Sequence, residues 1–104
     1  MDMIELLGNA TRLRILCALA RRGPSTKYRI WKETGVGRRT AIRQLDVLLE
    51  SGLVRRLSYE TVRMYDLDGD SPIVSELRPI LEWLWSKTPS TVGLQAQTRA
   101  RGLK

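Results

Sequence analysis

Arg39, Thr40 and Arg43 fall within five residues of the segment 34 to 54, TGVGRRTAIRQLDVLLESGLV. A guanidinium stays charged at every physiological pH and can donate two parallel hydrogen bonds, which suits phosphate oxygens or the edge of guanine. The chemistry offered is therefore recognition of a polyanion. Bond-making chemistry has no such foundation here: the chain has no histidine and one cysteine, its carboxylates are scattered, and it carries no phosphate-binding glycine loop or nucleophile motif. No enzymatic activity and no cofactor is expected.

A helix must present these arginines together. With Leu45 at the centre of the inward face and 100° per residue, Ala41, Ile42, Leu48 and Leu49 lie within about 60° of it. Arg39, Thr40, Arg43, Asp46, Val47 and Glu50 take the far side. Gly37 is placed to cap the start and Gly52 to end the helix in a left-handed conformation. The segment has the character of a helix that lies in a DNA groove. The competing reading is a solvated helix in which Arg39 and Arg43 pair with Asp46 and Glu50.

The surrounding elements are equally well punctuated. Asn9 precedes ATRLRILCALARR, where Leu13, Leu16 and Leu19 or Ala20 recur at helical spacing, and Gly23-Pro24 closes that helix. Ile4, Leu6 and Leu7 form a short helix before it, broken at Gly8. Ser25 or Thr26 caps another helix running to about Thr34. The three-residue turn Gly35-Val36-Gly37 then makes the arginine helix cross it steeply, which is helix-turn-helix spacing. After Gly52 the period changes to two. LVRRLSY and VRMYDLD read as a hairpin around Glu60-Thr61, whose turn type is open because the tip has neither Gly nor Asn. Pro72 opens a last helix with Val74, Leu77, Ile80, Leu81, Leu84 and Trp85 on its apolar face, and Pro79 inside it must kink or divide it.

The fold class is thus mainly α with a small β-hairpin, a winged helix-turn-helix with an additional C-terminal helix. Three parts are expected: residues 1–70 as a DNA-binding domain, 71–88 as a C-terminal helix for dimerisation, and 89–104 as a flexible basic tail. A length of 104 residues supports one core of modest size.

The net charge of +7 is unevenly spread. Residues 9–32 hold seven cations and no acid, while residues 64–86 hold five acids against Arg78. One face is basic and the back is neutral to acidic, and arginine outnumbers lysine 14 to 4. No apolar run reaches the length of a membrane span, and MDMIELLG is too short in its apolar part for a secretory signal, so a cytoplasmic protein is expected.

LLGNATRLRILCALARRG, residues 6 to 23, resembles the opening helix of ArsR-type winged-helix regulators, with its run L-G-D-P-T-R-L-R-I-L. TAIRQLDVLLESGLV, residues 40 to 54, resembles that family's T-V-S-R-H-L-x-x-L-x-x-x-G-L-V. KYRIWKETGVGRRT is similar to the helix-turn-helix of many archaeal winged-helix proteins. The resemblance covers roughly residues 6 to 67 and implies a DNA-binding transcriptional regulator of archaeal type, usually a homodimer. It places the groove-facing positions on Arg38, Arg39, Thr40, Arg43 and Gln44. Arg55, Arg56 and Arg63 flank the wing and are expected to meet adjacent backbone, with Lys27 at the start of the preceding helix as a further phosphate contact.

The departures from the family pattern carry expectations of their own. Ile42 stands where the family often has a polar reader, and it either packs inward, the expected outcome, or touches a thymine methyl. Trp31 replaces a small residue and Thr34 a leucine, an exchange read as compensated packing in the core. Metal sensing, frequent in the family, lacks ligands: no metal site is expected, and Cys17 is read as a small apolar residue. Leu77, Leu81, Leu84, Trp83 and Trp85 are expected to form a dimer interface, since they exceed what so small a core can cover; the alternative is that both tryptophans fold back. The sequence-level conclusion is a sequence-specific double-stranded DNA-binding regulator. A sequence-independent DNA-coating protein and a winged-helix protein-interaction module are the alternatives.

Overall fold

The computed structural model describes residues 1–87. The expected tail, 89–104, lies outside the described residues. Five helices and one antiparallel hairpin follow in the order α1 (Met3–Leu7), α2 (Ala10–Arg22), α3 (Lys27–Thr34), α4 (Arg38–Ser51), β1 (Val54–Tyr59), β2 (Val62–Leu67) and α5 (Pro72–Lys87).

Local chemistry sets the boundaries. The side chains of Asp2, Asn9 and Thr26 each accept a backbone N–H three residues on, so α1, α2 and α3 start where an orphan donor finds an acceptor. Of the two candidates for the α3 cap, Thr26 takes the role. Ser25 is buried instead, with its hydroxyl donating to the Gly23 carbonyl at 3.0 Å. Gly35 (φ 70°) and Gly52 (φ 85°) end α3 and α4 in the left-handed region, where a Cβ would be strained. Pro79 neither divides nor ends α5, which runs as one helix through it.

Helix α2 is the centre of the molecule. Ile15, Leu16, Cys17, Ala18 and Leu19 are all buried in succession, because α1, α3, α4, α5 and β2 pack around the helix. A single apolar stripe at Leu13, Leu16 and Leu19 therefore understates its burial. Ile30, Leu45, Leu48, Leu53, Val54, Tyr65, Leu67, Val74 and Leu81 complete the core around it. Burial pushes the Cys17 thiol up, against a smaller opposing effect of Arg14, so the thiol stays protonated at neutral pH.

The hairpin pairs Val54 with Leu67, Arg56 with Tyr65 and Ser58 with Arg63. Its tip places Glu60 at φ 57°, a left-handed residue supplied without glycine. Ser25 exchanges two backbone hydrogen bonds with Tyr65, at 2.9 and 2.8 Å, and so attaches the base of the wing to the loop before α3.

Two readings, one from helical periodicity and one from the expected capacity of the core, need correction. Val47, assigned to the solvent side of α4, is half-buried against the core, because α1 supplies a second wall beside Leu6. Leu81, assigned to a dimer interface, is fully buried against the body of the domain. Replacing Asn9 with alanine removes the acceptor for the Arg12 amide at 2.9 Å. The expected loss is about 1 kcal/mol of unfolding free energy, measured by urea titration with an unchanged m-value.

Candidate nucleic-acid interface

The N-terminal half of α4 presents Arg38, Arg39, Thr40 and Arg43, all exposed. Gly37 gives α4 no side-chain cap, so the first amides of the helix have no side-chain acceptor. Among the described residues the ion pair is Arg22 with Glu33 at 3.0 Å, which engages none of these arginines. Asp46 and Glu50 are exposed on α4 without closing on Arg39 or Arg43. The arginines are thus not consumed by intrahelical pairs, as the solvated-helix reading requires.

Lys27 begins α3 and connects this face to the wing. Its ammonium lies 5.8 Å from the centroid of the Tyr65 ring, and the guanidinium of Arg56 lies 5.9 Å from the same centroid. Two cations that would repel each other are held at one buried ring, whose quadrupole attracts both. Tyr65 is the residue that sequence reasoning missed. It is 1% exposed, and its hydroxyl is buried with no hydrogen-bond partner. The signal that could have found it is its alternation with Leu67 in β2, which places it on the inward face; nothing in the sequence points to the cations above it.

The wing arginines do not act as one group. Alternation along a strand puts Arg56 and Arg63 on the Tyr65 face and Arg55 on the opposite one, across from Asp66. All three are exposed. Arg56 and Arg63 share the side that carries Lys27, whereas Arg55 points away from it.

Gln44 is half-buried, and its Oε1 accepts a hydrogen bond of 2.6 Å from Nη1 of Arg12. Arg12 itself is 9% exposed. Its Nε donates to the Leu6 carbonyl at 2.7 Å and its Nη2 to the Glu5 carbonyl at 2.9 Å. Those carbonyls close α1, where helical partners run out. An arginine counted by sequence among the basic surface is therefore an internal clamp.

Ile42 does not enter the core as expected. It lines a recess of about 280 Å³ with Lys27, Tyr28, Trp31 and Arg38, between the first turns of α3 and α4. Trp31 meets Tyr28 edge-to-face at 5.5 Å, with the Lys32 ammonium 5.8 Å from each ring. The expected exchange of Trp31 for Thr34 within the core is therefore absent. Thr34 is buried and its hydroxyl donates to the Ile30 carbonyl at 2.9 Å, while Trp31 remains half-exposed in the recess.

On α5, Leu77, Leu84 and Trp85 pack partly buried against the core, Trp85 with the Arg21 guanidinium 5.8 Å from its ring. Trp83 is 59% exposed, on the side of Ile73 and Ile80. Of the two tryptophans, one folds back and one does not. Among the described residues no three His, Cys, Asp or Glu side chains form a metal-binding group, and no helix is long and apolar enough to cross a membrane.

A helix-turn-helix backed by a hairpin wing, with arginines on the exposed helix, defines the class of winged-helix DNA-binding transcriptional regulators rather than enzymes. Residues 9–56, from α2 to the start of β1, match the family model described as bacterial regulatory protein, arsR family, a likeness that spans the helix-turn-helix and just under half of the chain. Comparison with curated proteins found no match. Among solved structures, the transcriptional repressor BigR from Xylella fastidiosa aligns with a TM-score of 0.65 at 28% identity, covering 74% of this chain and 77% of that one. A structure described as the predicted DNA-binding transcriptional regulator from E. coli aligns at 0.67 with 18% identity, over 79% of this chain and 84% of that one. A MarR-family regulator from Silicibacter pomeroyi aligns at 0.64 with 19% identity, over 99% and 82%. The last two speak for the fold alone.

Tyr65 provides a test of the cluster. Tyr65→Phe deletes an unpartnered buried hydroxyl and keeps the ring, so thermal unfolding is expected at the wild-type temperature or slightly above it. Tyr65→Ala should cost about 3–5 kcal/mol by urea titration.

Proposed function

We propose that this protein binds double-stranded DNA sequence-specifically and regulates transcription, with the N-terminal half of α4 in the major groove. The observation that carries the reading is the unpaired state of Arg38, Arg39 and Arg43 on an exposed helix face. Arginine without a carboxylate partner keeps its fork available for guanine O6 and N7 or for phosphate. Arg56, Arg63 and Lys27 share one side and serve the adjacent backbone; Arg55, facing the other way, contributes to the general field. The C-terminal half of α4, from Leu45 onward, holds the helix on the core.

The acting form is a homodimer in the cytoplasm. Exposed Ile73, Ile80 and Trp83 recur at helical spacing along α5 and form an apolar stripe beside Leu77 and Leu84. Leu81, being buried, belongs to the protomer. A two-fold dimer reads two half-sites about 34–36 Å apart, or a multiple of that, which makes the operator an inverted repeat.

Arg39→Ala and Arg43→Ala should each weaken binding by about 1–3 kcal/mol, in titrations of duplex fragments selected from the source genome, with unchanged circular dichroism. Wild-type affinity in both variants would defeat this docking. Specific over random duplex should favour the former by about a thousandfold at physiological salt; equal affinity would point to a coating protein, and no duplex binding to a protein-interaction module. For the dimer, sedimentation at micromolar concentration should give twice the protomer mass, and Trp83→Glu should give a folded monomer. A wild-type chain that stays monomeric on concentration would remove the dimer.

A further inference from the structure

We propose that Arg12 makes Gln44 a donor-only reader of the major groove, so that the base contacted by Gln44 is chosen for an acceptor and not as adenine. This rests on the DNA-binding reading of α4. A guanidinium has five N–H donors and no acceptor, so the atom of Gln44 facing Arg12 must be the carbonyl oxygen. The orientation of the amide is fixed by chemistry, whichever way its two ends would otherwise be assigned.

The clamp is held from behind. Nε and Nη2 of Arg12 are bound to the Leu6 and Glu5 carbonyls at 2.7 and 2.9 Å, so the guanidinium cannot rotate toward solvent without stranding buried groups. Its third contact, Nη1 to Gln44, is 2.6 Å and links residues 32 apart in the chain. Since the carboxamide is planar, turning Oε1 inward to Arg12 turns the amino group outward. Gln44 lies one turn beyond exposed Thr40 on the same row of α4. What it turns toward the groove is therefore the amino group, a donor, with the carbonyl oxygen facing inward.

The consequence is specific. Glutamine selects adenine by a paired contact, receiving a proton from N6 while donating to N7. Here the receiving atom is turned inward onto Arg12, away from the groove. The donor alone fits guanine O6 or N7, adenine N7 and thymine O4, and it fails against the amino group of cytosine. Arg12 acts as a positioning residue: it touches no DNA and sets what Gln44 can read.

The test uses duplexes selected from genomic fragments by the full chain, wild type and Gln44→Ala, to find the base pair whose preference depends on Gln44. Base analogues are then placed there. Deleting the acceptor, by 7-deazapurine for a purine or by 5-methyl-2-pyrimidinone for thymine, should weaken wild-type binding by about five- to tenfold and leave Gln44→Ala unaffected. Deleting the N6 amino group of adenine, by unsubstituted purine, should change wild-type affinity less than about twofold. Arg12→Met frees Oε1, so if folded it should acquire sensitivity to that amino group; if it does not fold, the analogue series on wild type still decides. A large amino-group penalty in wild type overturns the inference while leaving DNA binding standing. So does a selected motif identical in Gln44→Ala. A wild-type chain that binds no duplex overturns both.

Discussion

A guanidinium buried without a carboxylate must be satisfied by carbonyl oxygens, and the geometry of this protein follows from where Arg12 finds them. Two come from the end of α1, whose last carbonyls lack helical partners, and one from the side chain of Gln44 on α4. A five-residue helix has little stability of its own. Bonded to the arginine of the next helix, α1 becomes a fixed wall instead of a frayed end. Leu6 then joins the core against α2, beside Val47 of α4, whose rear is seated on α2, α3 and β1. The cost of burying a charge is offset by the negative end of a helix dipole and by short hydrogen bonds.

The order of elements was legible because each boundary carries a residue with a local reason to be there. Asn9 accepts an amide, Gly35 and Gly52 adopt left-handed backbone, and Pro72 opens α5. Such reasons act within four residues and survive any tertiary context. Burial was less legible, since a helical wheel has one inside and α2 has nearly all sides covered. Val47 was misplaced on that account, since which face of a helix is inside depends on how many neighbours arrive; Leu81 was assigned outward because the core was taken as too small to cover it, and the core does cover it. Arg12 was illegible for another reason. Nothing in TRLRIL distinguishes the arginine that turns inward from Arg14, until α1 provides its orphan carbonyls.

The candidate site divides along the same line. Arginines on the exposed face of α4 followed from periodicity. The relation of the wing to α3 did not, because it depends on a strand register that brings Arg56 opposite Tyr65 and on a bridge from Ser25. Register also separates Arg55 from Arg56, neighbours in sequence that alternation sends to opposite faces. Ile42, Trp31 and Tyr28 form an apolar recess within a basic surface, where the sequence pattern had called for a filled core.

The Ser25–Tyr65 bridge divides the wing mechanically. Below it, β2 is clamped by two backbone hydrogen bonds and by a buried ring; above it, residues 58 to 63 are mostly exposed and pair only with each other. The hairpin is a cantilever with an overhang of about four residues, roughly 13 Å at strand rise, from Tyr65 to the tip. Bending of a hairpin fixed at one end concentrates at the anchor's edge, so a displaced tip leaves the spacing of Lys27 and Arg56 over the Tyr65 ring at the root unchanged.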